Sequence, residues 1–292
     1  VEQPAGAPGD FAVSGQIAIV RRSTGGDRLF LLDVASGEQQ ALPGVPNVTV
    51  TGDSAPQWSP DGRRLVWVSQ YAGRLHVAAM DLEENEPYQI PAGEAYSRVS
   101  SPAFLPDGNQ ISFWAPGGTG GYLVTADAVS GERMSEIGLS GYRNMFVWNR
   151  QNGQAAYIFQ GGGSYEVAVG SPDGEGQVME TGGEGYAPAW SNDGAWLAWQ
   201  SDAGRASGMN EIWIARADGS QMRRVTTTPA EFWSRAPTWS PDGRMIAFVS
   251  NQSGSIGSDF GELFVVEVET GQTRQITSTG GQVYDWRPAW RP

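Results

Sequence analysis

The chain has 292 residues, enough for one large domain or two average ones, and its 40 Gly and 18 Pro favour short strands and tight turns over long helices. A formal net charge of −13, with no Lys anywhere, argues against binding to nucleic-acid phosphates or anionic membranes. Without Cys there is neither a disulfide framework nor a thiolate metal site, and no apolar run approaches the length of a membrane span.

Residues 1–10 open the segment "VEQPAGAPGDFAVSG", which reads as a Pro/Gly/Ala linker left after processing, and residues 11–292 read as a single domain. The first apolar strand is "SGQIAIVRR" from Ser14, and the next is "RLFLLDVASGEQ" from Arg28. From Ala55 a phrase begins that then recurs: "APQWSPDGRRLVWVSQ", "SPAFLPDGNQISFWAP" from Ser101, "APAWSNDGAWLAWQSD" from Ala187 and "APTWSPDGRMIAFVSN" from Ala236. A fifth copy, "MFVWNRQNGQAAYIFQ" from Met145, fits with one extra turn residue. The anchors Trp58, Phe104, Trp148, Trp190, Trp239 and Trp290 fall roughly 40 to 50 residues apart, the spacing of propeller blades.

Each copy has the same physical logic. Ser-Pro-Asp-Gly suits a type I turn: Pro presets φ, Asp bonds its local backbone and Gly accepts positive φ. The strand that follows is apolar on both faces, as expected between neighbouring sheets. A loop then leads to a third strand ("RLHVAAMDL", "YLVTADAV", "YEVAVG", "EIWIARAD", "ELFVVEVE") and a turn to a polar fourth, such as "TRQITS". The final "RPAWRP" is a first strand lacking a second, whereas "SGQIAIV" is a second strand lacking a first. Together they make a sixth copy. The sequence therefore predicts an all-β, six-bladed propeller of four-stranded antiparallel blades, closed by pairing the C-terminal strand with the N-terminal blade.

The phrase "PxWSPDGRxIAFxS", followed by a strand and a Thr-Gly turn, resembles the PD40 repeat of TolB-like propellers, over nearly the whole chain from about Phe11. The motif consists of turn and core residues, so it speaks to fold more than to chemistry. The resemblance implies a bacterial, extracytoplasmic (periplasmic, secreted or cell-surface) protein that binds other proteins, with the soluble part of a larger membrane-anchored protein as one form it can take.

Signatures of catalysis are sparse. The single histidine, His76, lies in an apolar third strand and suits a structural role. Gly52-Asp53-Ser54 lacks the strand–turn–helix setting of a serine nucleophile, and the Gly-rich loops lack the Lys of a phosphate loop. Asp61, Asp107, Asp193 and Asp242 recur at one topological point, which marks them as turn residues. No catalytic residue, metal site or cofactor is expected.

The segments entering each inner strand should converge at one mouth of the central channel. They supply Tyr96, Arg98, Tyr142, Arg143, Tyr186, Trp233, Arg235, Tyr284, Asp285 and Trp286, with flat rings for contact and Arg as anion clamps. The expected function is a monomeric, non-enzymatic recognition module for a protein, a peptide or a small anionic ligand, with neither nucleic-acid binding nor membrane insertion. The competing expectation is a carbohydrate-binding or glycan-cleaving propeller, for which Asp53, Glu184 and Asp285 are the available entry-loop acids. The alternative of a propeller gating a peptidase would need a hydrolase domain as well.

Overall fold

Each recurring phrase folds into one four-stranded antiparallel sheet, and six such sheets form a closed ring in the computed structural model. It describes residues 11–23, 26–42, 55–71, 73–161, 163–174, 176–254, 261–279 and 284–292, with the main chain only for 22, 23, 26, 71 and 284–286. The closing sheet is blade 1, and blades 2 to 6 follow in chain order. Their inner strands are Tyr284–Trp290, Gln57–Trp58, Ser100–Phe104, Arg143–Trp148, Gly185–Trp190 and Ser234–Trp239.

The closure read from the sequence is present. Strand Tyr284–Trp290 pairs with Gln16–Ser23, with Trp290 opposite Ile17 and Ala289 opposite Ala18. The Arg291 amide donates to the Gln16 carbonyl at 2.8 Å, so two chain ends complete the turn that other blades make with one segment. Gly15 replaces the turn glycine: its φ is +105°, and a Cβ there would lie 2.8 Å from Trp290 Nε1. The Arg291 side chain ties the seam to blade 2, donating to Gly62 O at 2.7 Å and lying over the Trp58 ring.

Six apolar clusters fill the six gaps between blades, so stability resides in blade-to-blade contact. Trp290 packs with Ile17, Leu32 and Val265 between blades 6 and 1, and Trp58 with Val20 and Trp67 between blades 1 and 2. The anchors also bond across the gaps. Trp58 Nε1 donates to Ala289 O at 2.8 Å and Trp239 Nε1 to Ala189 O at 3.0 Å.

One feature of the inner strands was not expected. In blades 1, 3, 4, 5 and 6 three steps along the inner strand match two on its partner, as from Tyr186↔Gln200 to Ala189↔Ala198. The extra residue of each bulge is left-handed: Arg287, Ser101, Met145, Ala187 and Ala236 have φ between +49° and +54°. Bulges tolerate Pro, which explains why Pro follows four of these residues in the middle of a strand. Several freed amides bond to side chains of the preceding blade. Met145 N donates to Ser101 Oγ, Ala187 N to Met145 Sδ and Ala236 N to Gln200 Oε1.

The recurring turns behave as read. In blade 5 the Ser191 hydroxyl donates to Asp193 Oδ1 at 2.5 Å and accepts from Trp196 N, while Asp193 accepts from Ala195 N. Burial pushes the pKa of Asp193 up, but the Ser191, Ala195 and Arg216 contacts outweigh it and leave the carboxyl below its ordinary 3.8. Asp61 and Asp242 show the same balance. Groups depressed in the folded state add stability that is complete above the unfolded pKa of about 3.9 and is lost as pH falls through the lower folded values. The melting temperature should therefore be insensitive to these turns above about pH 5 and fall below about pH 4. Asp193→Asn should shrink that acid-dependent fall, as followed by calorimetry across the range.

Candidate functional site

The channel is walled by the bulge residues and anchors of the inner strands, around a cavity of about 120 Å³. Its two mouths differ. One carries the segments entering the inner strands and the loops between second and third strands, and the other carries the Ser-Pro-Asp-Gly-like turns.

At the entry mouth three tyrosines form a ladder. The Tyr142 ring lies 5.5 Å from Tyr165 in an edge-on contact, and Tyr165 lies 5.4 Å from Tyr186. Tyr142 is 37% exposed, so the ladder opens to solvent. Its two outer members are positioned by hydrogen bonds. Asn144 Nδ2 donates to the Tyr142 hydroxyl at 3.1 Å, and its Oδ1 accepts from Ser100 and Ser101 of blade 3. The Tyr186 hydroxyl donates to Glu184 Oε2 at 2.9 Å, and burial, followed by that carboxylate, raises its pKa. The Glu184 amide donates to Asp202, which also receives the Gly208 amide. The ladder is thus continuous with the loop 202–210 of blade 5.

Tyr165 is missing from the expected set because it begins a third strand, Ser164–Gly170, and is not in an entry segment. The available signal was the Tyr-Glu pair at the start of that strand, directly after the Gly-rich loop that must face the same mouth.

The other expected residues take different places. Trp233 is buried, and Arg235 lies over its ring at 4.3 Å while bonding Gly208 O and Asn210 Oδ1. Arg143 donates to the carbonyls of Pro172 and Gly174 and lies over Tyr157. Tyr96 turns toward the outer strands of blade 3, beside Phe113 and Tyr122, with its hydroxyl on Glu136. Arg98 is exposed. Tyr284, Asp285 and Trp286 belong to the closing strand, but their side chains lie outside the described residues, as does all of Asp53. The structure therefore brings Tyr142 and Tyr186 together through Tyr165, stacks Arg235 on Trp233, and spends Arg143 and Arg235 largely on loop carbonyls.

The loop 202–210 is held firmly. Arg205 pairs with the fully buried Glu211 and donates to Thr228 O, Pro229 O and Phe232 O at 2.8–3.0 Å. Glu211 also accepts from Thr226 Oγ1, Thr228 N and Thr228 Oγ1. In blade 6 Glu262 likewise accepts from Thr277 and Thr279. His76 is half-buried in the third strand of blade 2. Among the described residues no group of three or more His, Asp or Glu side chains is arranged to hold a metal ion.

Residues 148–292 match the family model of the TolB beta propeller domain, PD40. A segment of 85 residues, 28% of this chain and 11% of the relative, is 35% identical to the uncharacterized peptidase YuxL of Bacillus subtilis (strain 168). Another of 130 residues is 28% identical to the Tol-Pal system protein TolB of Anaeromyxobacter sp. (strain K), covering 44% of this chain and 28% of that one. The chain thus spans less than a third of the length of these curated relatives. The crystal structure of TolB from Acinetobacter baumannii superposes with a TM-score of 0.72 at 21% identity, over 98% of this chain and 68% of that one.

Proposed function

We propose that this chain, a propeller built of TolB-like PD40 repeats, is a non-enzymatic recognition module that docks a protein or peptide partner on its entry mouth. The observation that carries the reading is the solvent-open ladder Tyr142–Tyr165–Tyr186, held by Asn144 and Glu184. Aromatic rings with fixed hydroxyls give a large contact area at little entropic cost, the usual make-up of a binding hot spot. A rigid ring of blades beneath them supplies preorganisation. The exposed Arg98 belongs to the same mouth, and Tyr284, Asp285 and Trp286 are proposed contacts through the segment they occupy. An extracytoplasmic setting, which the TolB resemblance implies, is part of this proposal. No helix among the described residues is long and apolar enough to cross a membrane.

The test is selection of binders from a random peptide library, followed by titration against Tyr142→Ala/Tyr165→Ala. Loss of two hot-spot rings should weaken the selected peptides at least about tenfold, with the melting temperature little changed. Peptides that bind the double variant as tightly as the native protein would refute the site. The same rings could stack on sugars, so an oligosaccharide array probed in parallel covers that alternative.

A further inference from the structure

The opposite mouth carries an unusual cation. At the second position of the recurring turn the blades have Pro60, Pro106, Asn192, Pro241 and Pro292, but blade 4 has Arg150. Its side chain does not point out to solvent. Nη1 reaches Asn192 Oδ1 in blade 5 at 3.3 Å, and Nη2 reaches Trp58 O in blade 2 at 3.5 Å. Blades 2 and 5 face each other across the ring, so a group from blade 4 touching both lies near the channel axis.

This guanidinium forms no ion pair among the described residues, and its two bonds are long for charge-assisted ones. The nearest carboxylate influence comes from Asp61, which is occupied by the Ser59 hydroxyl and the Arg63 amide. The channel wall beside it is formed by Phe146, Pro188, Pro237 and Pro288 with the anchor tryptophans, interspersed with polar groups and the Arg287 side chain. A half-buried guanidinium near the channel axis, with only two long bonds to neutral oxygens, is incomplete without an anion.

We infer that the channel is a binding site for a small organic monocarboxylate with an apolar body, its carboxylate paired with Arg150 and its body lying along the axis. Asp61 close by and a chain of net charge −13 disfavour a phosphate dianion. The site lies at the mouth opposite the tyrosine ladder and does not depend on that proposal.

The probes are phenylacetate, its neutral amide phenylacetamide and inorganic phosphate, titrated calorimetrically and by tryptophan fluorescence. Phenylacetate should bind the native protein at least about tenfold more tightly than either comparator. Arg150→Gln should lose that preference with an unchanged melting temperature, and Arg150→Lys should keep part of it. Equal binding of acid and amide would overturn the inference without recourse to a variant. So would tighter binding of phosphate, an unaltered preference in Arg150→Gln, or no phenylacetate binding at millimolar concentration.

Discussion

Replacing Trp290 by Ala is expected to lower the unfolding free energy by roughly 3–5 kcal/mol, the usual cost of emptying a buried tryptophan site. The ring is 5% exposed and packs into the cluster joining blade 6 to blade 1, against Ile17, Leu32 and Val265. Little can relax into the gap, because Gly15 already approaches the indole nitrogen as closely as its lack of a Cβ allows. Deleting residues 284–292 should be worse still, since it removes the pairing with Gln16–Ser23, the Trp58 bond to Ala289 O and the Arg291 bridge to Gly62. An unpaired inner edge would also be left exposed. Urea unfolding of both variants beside Trp239→Ala, an anchor away from the seam, checks this. A cooperative, nearly native melt for the deletion would show that the ring does not depend on its last strand.

Glu211→Ala is the second large effect, expected at roughly 3–5 kcal/mol because it strands a buried charge. Arg205 would keep its carbonyl contacts but lose its counter-ion, and Thr226 Oγ1 and Thr228 N would lose their acceptor. Breaking one partner of a buried pair costs far more than replacing both, so Arg205→Met/Glu211→Leu should recover part of the loss. The effect should also reach the entry mouth. The loop 202–210 supplies Gly208 O to Arg235 and Asp202 to the Glu184 amide, so its loosening should release the tyrosine ladder. Equilibrium unfolding combined with amide exchange over 202–210 measures both.

The fold was legible because its determinants are local. Pro, Asp and Gly specify the turns, paired apolar faces specify the second strands, and the half phrases at the two ends announce closure. The bulges were not legible. A left-handed Ala before Pro, as at Ala187 and Ala236, runs against both residues' intrinsic preferences. Only the close approach of neighbouring blades, seen in amides bonded across the gap, holds it in place.

The candidate site was legible in part for a related reason. Entry segments could be assigned to one mouth, but the direction of a side chain depends on loops that sequence does not place. Arg143 and Arg235 are drawn to carbonyls of Pro172, Gly174 and Gly208, and Trp233 is buried. The aromatic surface that results is centred instead on Tyr165, in a third strand.

Recognition at the entry mouth is tested most directly by amide hydrogen exchange of the protein with and without a peptide selected for binding it. Protection is predicted over residues 142–144, 164–166 and 184–186, the main chain that carries the ladder and Glu184. Protection confined to the turns at the opposite mouth or to the outer strands, with these three segments unchanged, would contradict the account.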